Sequence, residues 1–504
     1  MRAQFEGQWL WEVFDGDRHS LNIAHECVDR HPPKATAIRI QFADGHREEY
    51  TFGELAELSG AAAAWLADRG VGAGRRVALM LEPSLMFYVA LFGVIKRGAV
   101  AVPLYPLFGP EALRQRFDDC DPVLVLVDSA RSGIQASFSD RSVVVADETW
   151  LRQLATWPSW PAAPTAAGDE AVWQYTSGTT RQWPTAVRHR HHAIVPLALA
   201  ARYGLGLEPG DRYACPSSPA WGHGLWHGTL APLSFGIAVG AYSGKFHPGR
   251  LLEGLRAWRV TNFAAAATVY RLLREAGSLE QTPPAWTKCS FTGEPLDLET
   301  AQYVRRWTGV GPAGMYGTTE VGVILANYPG FADFPRKEGT GALGRPLPGV
   351  DVAVLGPDDT AVAPGQVGEI AVRRHGRWFR TKDAGLVDED GYFWYKGRAD
   401  DVIISAGWTI SALEVEDTLG KHPAVAEAAV VGVPDALRGL VVQAFVVLRP
   451  GQTATAEDLQ QFVKQRLSAH EYPRRIKFVA SLPKTPNGKV DRHALRDPDE
   501  AARY

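Results

Sequence analysis

Residues 175–191 read YTSGTTRQWPTAVRHRH, a strand-like beginning that runs into a loop of small and hydroxylated residues and then a proline. Hydroxyls and exposed backbone N–H groups in a glycine-containing turn suit a polyphosphate, because each phosphate offers several acceptors and no donor. A turn that hydrogen-bonds only to itself and to water is the alternative. Motifs elsewhere in the chain decide between these interpretations of Thr176, Ser177, Gly178, Thr179 and Thr180.

The composition is that of a globular protein with more than one domain. At 504 residues, of which 46% are apolar, the chain is longer than one hydrophobic core usually supports. The net charge of -3 is too small for a nucleic-acid surface or a polybasic membrane patch. The cysteines are scattered without a CxxC pair, which is typical of a reducing compartment. We expect a cytoplasmic protein with no nucleic-acid partner and no membrane span, since charges and prolines interrupt its most apolar region, residues 77–108.

The order of apolar and amphipathic segments predicts an α/β fold. PVLVLVD (122–128) predicts a buried strand, VVVAD (143–147) predicts another strand, and LLEGLRAW (251–258) predicts an amphipathic helix. Strand, helix, strand order of this kind builds parallel or mixed sheets. We therefore expect a large N-terminal domain over residues 1–397, made of several subdomains with mixed β-sheets and helices.

A smaller α+β domain is predicted over residues 398–504. The boundary is placed where Gly391 and Gly397 are followed by the acidic pair Asp400 and Asp401. Its predicted elements follow in βαβ-like order. They are a helix near 412–422, strands at AEAAVVGVP (426–434) and VQAFVVL (442–448), and a helix with Leu459, Phe462, Val463 and Leu467 on one face.

The loop YTSGTT, followed by a proline, a valine and two histidines, resembles the phosphate-binding loop of the adenylate-forming superfamily. That superfamily includes acyl-CoA synthetases, nonribosomal-peptide adenylation domains and firefly luciferase. Further motifs resemble those of the family and occur in its order: FTGEPL (291–296), MYGTTEVG (315–322), WFRTKDAGLVDEDGYFWYKGRADDVI (378–403) and LPKTPNGKVDR (482–492). The chain is therefore identified as a member of this superfamily, which implies that the small C-terminal domain is mobile.

The resemblance implies a first reaction in which a carboxylate attacks the α-phosphate of ATP, giving an acyl-adenylate and pyrophosphate. Negative charge accumulates there, so the site must supply cations and hydrogen-bond donors. By the resemblance, Glu320 helps to hold Mg²⁺ and Thr319 donates to the α-phosphate, and both count as catalytic. Tyr316 would stack on adenine, beside Gly317 and Thr318 of the same nucleotide-binding motif. A solvated surface carboxylate is the alternative for Glu320.

Other motif residues are implied to contact the adenosine. The backbone of Gly293, Glu294 and Pro295 would pass along the adenine ring, where a side chain at the glycine would obstruct close approach. Asp383 would accept hydrogen bonds from both ribose hydroxyls, which suits the paired oxygens of a carboxylate. Arg398 would reach the ribose and phosphates. Taken alone, Asp383 and Arg398 are equally consistent with solvated charges or an ion pair.

The C-terminal motifs imply a second reaction. Lys489 resembles the lysine that enters the site, bridges the carboxylate and the α-phosphate, and serves as a mobile positive charge during adenylation. Asp400 matches the hinge about which the C-terminal domain rotates after pyrophosphate leaves. Gly407 resembles a residue of the tunnel through which the acceptor thiol reaches the adenylate.

The chain departs from the family pattern in the phosphate loop. Its usual lysine is absent, because Thr185 follows Pro184, and the loop is one residue longer. Either Arg181 or Arg188 could replace the missing cation beside the departing pyrophosphate. Weakened turnover of ATP is the other interpretation.

The acyl pocket is assigned by position within the resemblance. Small residues imply space, and Trp221 could form an aromatic wall or gate. No lysine or arginine marks a second carboxylate. His223 and His227 are four apart, but neighbouring glycines disfavour a helix and no acidic partner follows, so we expect no metal there. The predicted pocket residues are Trp221, His223, Ala265, Ala266 and Gly314.

The favoured function is an ATP-dependent ligase that joins an aryl or medium-chain carboxylic acid to CoA, with ATP and Mg²⁺. An adenylating amide synthetase, in which an amine attacks the adenylate, is the alternative, and Thr185 and Thr409 keep it open because they replace basic residues of many relatives. A carrier-protein ligase and a nucleotide-binding pseudo-enzyme are further alternatives. A homodimer is the oligomeric state that we consider for the protein.

Overall fold

The computed structural model describes residues 10–108, 110–138, 141–175, 186–281, 283–331, 341–399, 403–405, 408–435, 439–467, 472–484 and 490–496. The chain forms two compact units, Met1–Val350 and Asp351–Tyr504. The predicted domain boundary between residues 397 and 398 lies inside the second unit and stays a prediction.

The first unit alternates strands with helices, which confirms the predicted α/β class. Its strands are β1 (Thr36–Phe42), β2 (Arg47–Thr51), β3 (Arg76–Met80), β4 (Val100–Pro103), β5 (Leu124–Val127), β6 (Val143–Val145), β7 (Glu170–Tyr175), β8 (Ala186–Arg190), β9 (Tyr213–Ala214), β10 (Val239–Ser243), β11 (Asn262–Ala266), β12 (Lys288–Thr292), β13 (Ala313–Thr318), β14 (Gly322–Ala326) and β15 (Ala342–Pro346). Its helices are α1 (Phe52–Asp68), α2 (Leu85–Lys96), α3 (Pro110–Cys120), α4 (Glu148–Leu154), α5 (Ile194–Leu199), α6 (Ala231–Ser234), α7 (Pro248–Ala257), α8 (Ala267–Glu275), α9 (Ser278–Gln281) and α10 (Leu298–Thr308).

One sheet of this unit has the strand order β6-β5-β3-β4-β7-β8. Neighbouring strands in this sheet are parallel, except that β7 and β8 pair antiparallel. Strands β7 and β8 flank the hydroxyl loop, residues 176–185. The predicted buried strand is β5, and every residue of β5 is buried because helices and strands surround it. The predicted strand at 143–147 is β6, an edge strand that is only half-buried.

The other sheet of the first unit has the order β15-β14-β13-β12-β11-β9-β10-β1-β2. The strands from β1 to β13 in this order are parallel, and β2, β14 and β15 pair antiparallel at its two sides. The carboxyl ends of parallel neighbours meet at one edge of a sheet, which is where ligands usually bind. This edge carries the segments that follow Ala266, Thr292 and Thr318.

Helix α2 lies in the core of the first unit and is buried along its length, apart from Met86. It packs against α1 so closely that a Cβ added to Gly93 would lie 2.6 Å from the Ala62 Cβ. At its end, the buried Lys96 Nζ pairs with Asp29 Oδ1 at 2.5 Å and donates to the Ala56 carbonyl at 2.9 Å. Its apolar sequence therefore makes a core helix, and no helix among the described residues is long and apolar enough to cross a membrane.

The second unit begins with antiparallel strands and continues into the predicted C-terminal elements. Its strands are β16 (Val352–Leu355), β17 (Gly368–Arg374), β18 (Arg377–Val387), β19 (Phe393–Arg398), β20 (Ile403–Ser405), β21 (Trp408–Ile410), β22 (Val425–Asp435), β23 (Gly439–Leu448) and β24 (Arg475–Phe478), and its helices are α11 (Ala412–Gly420), α12 (Ala456–Lys464) and α13 (Arg492–Arg496). Strands β22 and β23 pair directly and antiparallel, whereas β23, α12 and parallel β24 form the βαβ arrangement. The predicted βαβ-like order is therefore right only for the later half.

Helix α11 is attached to β19 across residue 400. The Ser411 hydroxyl donates to the Lys396 carbonyl at 2.7 Å and accepts from the Glu414 N–H at 3.3 Å, where it caps α11. The Lys396 ammonium also pairs with the Glu414 carboxylate. In the second helix, Leu459 and Val463 are fully buried as predicted, while α12 ends before Leu467.

Buried His191 makes the stability of the first unit depend on pH. Its Nδ1 accepts a hydrogen bond from the Ile23 N–H at 3.1 Å, so this ring is held neutral. Burial lowers the pKa of His191 to about 4, although nearby Asp169 opposes the shift. An unfolded histidine has a pKa of about 6.5, so the unfolded state binds more protons than the folded state between these values. The stability contributed by neutral His191 is therefore lost as the pH falls from 6.5 toward 4.

We expect the urea midpoint of the protein to fall between pH 6.5 and pH 4, and to fall less steeply in His191→Gln. Glutamine offers an acceptor that does not titrate. His192→Gln, at an exposed neighbouring position, serves as the control and should keep the wild-type pH dependence. An unchanged slope in His191→Gln would contradict this assignment.

Candidate active site

Asp119 on α3 ties together the two ends of the hydroxyl loop. The Tyr175 hydroxyl, at the end of β7, donates to Asp119 Oδ2 at 2.8 Å. The Ala186 N–H, at the start of β8, donates to the same oxygen at 3.1 Å. Burial raises the pKa of Tyr175, which keeps its hydroxyl a donor. The loop between them, residues 176–185, lies outside the described residues, so the predicted phosphate contacts of Thr176, Ser177, Gly178, Thr179 and Thr180 stay predictions.

Of the two arginines that could replace the missing phosphate-loop lysine, Arg188 lies among the described residues and Arg181 does not. The Arg188 guanidinium lies over the Trp173 ring, 4.1 Å from its centroid. Successive residues of a strand point to opposite faces, so Arg188 lies on the face of β8 opposite His189. The pKa of His189 is lowered to about 4 by burial, with Glu320 near enough to oppose the shift. Arg188 therefore lies on the face of β8 opposite His189, while Arg181 lies outside the described residues, and both stay predicted substitutes for the lysine.

The β13–β14 hairpin carries most of the predicted nucleotide-binding residues of the first unit. Tyr316 is buried and pairs with Leu325, and the ladder is irregular between Tyr316 and Gly317. A Cβ at Gly317 would lie 1.9 Å from the Gly322 carbonyl oxygen, so the hairpin closes only with glycine there. The Thr318 hydroxyl is buried without a hydrogen-bond partner among the described residues.

The tip of this hairpin is open to solvent. Thr319 is half-buried and Glu320 is exposed, as a carboxylate that meets a hydrated cation would be. The structure therefore brings Tyr316, Thr318 and Glu320 onto one hairpin at the carboxyl end of β13. Their predicted contacts with adenine, phosphate and Mg²⁺ stay predictions.

The segment after β12 is ordered by the side chain of Glu294. Glu294 Oε1 accepts a hydrogen bond from the Thr268 N–H at 2.9 Å, at the first turn of α8, and pairs with Arg271 at 3.2 Å. Arg271 Nη2 also donates to the Pro295 carbonyl at 2.6 Å. Gly293 is exposed, has φ +91°, and has nothing within 4 Å of an added Cβ. The fold thus requires glycine for its backbone conformation and leaves the surface beside it open.

The predicted acyl-pocket residues do not all have the same environment. Ala265 is buried in the core and Ala266 is half-buried at the end of β11. A Cβ at Gly314 would lie 2.8 Å from the Ala342 carbonyl oxygen, so packing against β15 is itself a reason for this glycine. Trp221 is 51% exposed and lies beside the Tyr105 ring, with centroids 6.4 Å apart. A pocket role for these residues stays a prediction.

His223 and His227 lie on a π-helical turn, His223–Leu230, so the expectation that glycines would prevent a helix here is wrong. A Cβ at Gly224 would lie 2.1 Å from the Ser218 carbonyl oxygen, and one at Gly228 would lie 2.9 Å from Cys215 Sγ. The glycines therefore allow the turn to pack tightly on the preceding segment. No group of three or more potential metal ligands occurs within the described part of the chain.

In the second unit, Asp383 and Arg398 form an ion pair. Arg398 Nη1 lies 2.8 Å from Asp383 Oδ1, and the two residues face each other on β18 and β19. Asp383 is buried, with 7% of its surface exposed, so the arginine compensates its charge. The ion pair weighed from the sequence is confirmed, while contacts with ribose stay predictions. Asp400, Gly407 and Lys489 lie outside the described residues.

Comparison with known proteins places this geometry in a family. The model of the AMP-binding enzyme family matches residues 24–378, and that of the AMP-binding enzyme C-terminal domain matches residues 414–489. The chain belongs to the AMP-binding enzyme family. It is 32% identical to the uncharacterized acyl-CoA ligase YtcI of Bacillus subtilis, over 92% of this chain and 93% of that protein.

Solved structures resemble this AMP-binding enzyme over nearly its whole length. The Brucella canis acyl-CoA synthetase has a TM-score of 0.76 and 31% identity, covering 100% of this chain and 98% of that one. The anthranilate CoA ligase AuaEII, solved with anthranoyl-AMP, has a TM-score of 0.83 and 25% identity, covering 97% and 99%. These comparisons confirm the predicted superfamily and the predicted reaction class, which is ligation of a carboxylic acid to CoA through an acyl-adenylate.

Two residues of this AMP-binding enzyme were missed by the sequence reasoning. Asp119 lies on an exposed-looking helical stretch, RQRFDDCD (114–121), with nothing to indicate which of its acidic residues turns inward. Gln174 is buried between the apolar residues of β7, with 1% of its surface exposed. A lone amide in the middle of a buried strand was the available signal, because such a group needs a partner.

We expect Asp119→Ala to raise the KM for ATP by about tenfold, because it removes the shared acceptor at both ends of the phosphate loop. The KM for CoA should change little. Asp119→Asn, whose amide oxygen can still accept, should have an intermediate effect, and Asp118→Ala, at an exposed neighbouring position, should have none. Initial rates of pyrophosphate release at varied ATP measure the effect. Equal ATP dependence in Asp119→Ala and wild type would contradict the role.

Proposed function

We propose that this chain is an ATP-dependent ligase that joins an aryl or medium-chain carboxylic acid to CoA. The observation that carries the proposal is the juxtaposition of Gly293 and the Tyr316–Glu320 hairpin at the carboxyl ends of neighbouring strands. The open surface beside Gly293 and the buried Tyr316 lie there. The same hairpin carries the Thr318 hydroxyl, which has no partner in the described ranges, and the exposed carboxylate of Glu320. These are groups suited to adenine, a phosphate oxygen and a cation.

The residues of the hairpin divide the work of adenylation. Thr318 and Thr319 would donate to phosphate oxygens, and Tyr316 would stack on the adenine that passes along Gly293. Glu320 forms no ion pair with another described residue, so its carboxylate fits Mg²⁺, which when bound would neutralise phosphate charge. Asp383 would accept from the ribose hydroxyls, with Arg398 holding its carboxylate in place.

The acid and the acceptor are proposed on narrower grounds. Anthranilate, the acid of the AuaEII ligase, is an aryl acid, which supports the aryl class for this chain. CoA is favoured as acceptor because the relatives named above are CoA ligases and synthetases, and the amide-synthetase alternative has no support from them. Asp400 as hinge, Gly407 as tunnel residue, a homodimer and a cytoplasmic location complete the proposal.

The decisive assay supplies ATP, Mg²⁺ and a panel of aryl and fatty acids, follows pyrophosphate, and then adds CoA or an amine with identification of the product by mass. We expect pyrophosphate with at least one acid and a thioester on adding CoA. Amide with amines and no thioester would instead support the amide synthetase. Absence of pyrophosphate with every acid would support the pseudo-enzyme.

We expect Lys489→Ala to lose at least about 99% of the adenylation rate, because a positive charge at the α-phosphate is worth about 100-fold or more. ATP binding, followed by calorimetry, should persist, and thioester formation from a supplied acyl-adenylate should change little. Lys421→Ala, which removes an exposed lysine of the second unit, is the matched control. Unchanged adenylation in Lys489→Ala would refute the role of Lys489.

A further inference from the structure

Gln174, in the middle of β7, presents an unpartnered donor inside the first unit. The Trp226 indole N–H donates to Gln174 Oε1 at 3.0 Å. An indole N–H needs an acceptor, so this contact fixes the orientation of the amide and directs Nε2 elsewhere. Gln174 Nε2 is buried and has no hydrogen-bond partner among the described residues. A buried donor of this kind destabilises the fold unless a ligand pairs with it.

A second unpartnered nitrogen lies on the π-helical turn that carries Trp226. His223 Nδ1 and His227 Nδ1 are 3.3 Å apart, so one ring donates to the other, while His223 Nε2 is buried and has no partner in the described part of the chain. Burial lowers the pKa of His223 to about 3 and that of His227 to about 4. Both rings are therefore neutral near pH 7, and they offer hydrogen bonds without a positive charge.

Trp226 also lies beside a third histidine, His189. The His189 ring lies 4.7 Å from the Trp226 ring, and His189 Nε2 is also buried, with no partner within the residues that the structure describes. Between Trp221 and His223 stands Gly222, where an added Cβ would have Gln174 Oε1 as its nearest neighbour at 3.5 Å. Gln174 and His189 thus contact Trp226, which shares its helical turn with His223, and Gln174 also lies next to Gly222, between the predicted pocket residues Trp221 and His223.

The chemistry of these groups restricts what they can recognise. An amide N–H₂ requires an acceptor, and the neutral imidazole of His223 can donate or accept at Nε2 according to its tautomer. A hydroxyl can pair with either group in either tautomer, and a carbonyl oxygen can pair with the amide and with the Nε2–H tautomer of the imidazole. A plain hydrocarbon leaves both nitrogens unpaired, and a second carboxylate finds no positive charge on these rings.

We propose that the acyl pocket selects a carboxylic acid bearing an uncharged hydroxyl or carbonyl group, which Gln174 Nε2 and His223 Nε2 hydrogen-bond. This inference rests on the proposed ligase function and specifies the substrate class of the same site. Gln174 and His223 are specificity residues here, distinct from the residues assigned to phosphate chemistry. Sites built to hydrogen-bond a substrate hydroxyl discriminate strongly against analogues that lack it.

The test compares isosteric acids in which a hydroxyl replaces a methyl group: 3-hydroxybenzoate with 3-methylbenzoate, 4-hydroxybenzoate with 4-methylbenzoate, and 5-hydroxypentanoate with hexanoate. The measured quantity is kcat/KM for thioester formation with ATP and CoA. We expect the wild-type enzyme to favour the hydroxylated member of at least one pair by about tenfold or more.

Variants then assign the preference to its residues. Gln174→Met and His223→Leu should each reduce the preference to within about threefold, mainly by slowing the hydroxylated acid. His223→Gln should keep most of it, and His192→Leu, at an exposed position, should keep all of it.

The outcomes separate this inference from the proposed function. Thioester formation with no preference for the hydroxylated acid in any pair, or with a preference for the methyl acids, would overturn the inference and leave the ligase proposal standing. Failure of every acid to release pyrophosphate would overturn both. If a variant does not fold, the wild-type ratios still decide.

Discussion

Parallel pairing of β11, β12 and β13 is the constraint on which the candidate site depends. Their ladder fixes the ends of three strands at one edge, so that Ala266, Gly293 and Thr318 come from distant parts of the chain yet lie at or just after the ends of adjacent strands. The β12–β13 ladder is short, with Ser290 opposite Ala313 and Phe291 opposite Gly314. From Met315 to Thr318, β13 pairs only with β14 among the described residues. The hairpin therefore extends past the end of the β12–β13 ladder.

Polar groups removed from solvent in the first unit differ in whether the fold supplies their partners. The buried Lys96 and the half-buried Asp119 and Glu294 each have partners within the fold and hold segments together. Gln174, His189 and His223 each retain a buried nitrogen that has no partner among the described residues. Folded proteins rarely leave such groups unpaired, because dehydration without a replacement hydrogen bond is costly. These three residues contact Trp226 or lie on its helical turn, whereas other buried atoms without a partner among the described residues, such as Trp65 Nε1 and Asn262 Oδ1, lie elsewhere in the unit.

Much of this fold and site was predictable from the sequence. The apolar run of β5 and the face of α12 follow from periodicity alone, and the motif residues of the β13–β14 hairpin follow from resemblance. Periodicity could not indicate that β22 and β23 pair directly and antiparallel, because the apolar pattern of a strand does not depend on the direction of its neighbour. Nor could it indicate the π-helical turn at His223. Glycine has a low helix propensity, but here Gly224 and Gly228 allow the turn to pack closely on the preceding segment. The inward orientation of Asp119 depends on tertiary contacts with strands far away in the chain.

The attachment of α11 to β19 has a consequence for any movement of the C-terminal elements. Ser411 and Glu414 reach back over residue 400 to the carbonyl and ammonium of Lys396, so they bridge the position matched to a hinge. Rotation of the chain at residue 400 would have to break this bridge, and each of its ends would need water or a new partner. The bridge would oppose the proposed rotation, and its ionic half weakens as salt concentration rises. If the small domain rotates as proposed, the ionic strength of the solution would then affect that rotation, even with every substrate held constant.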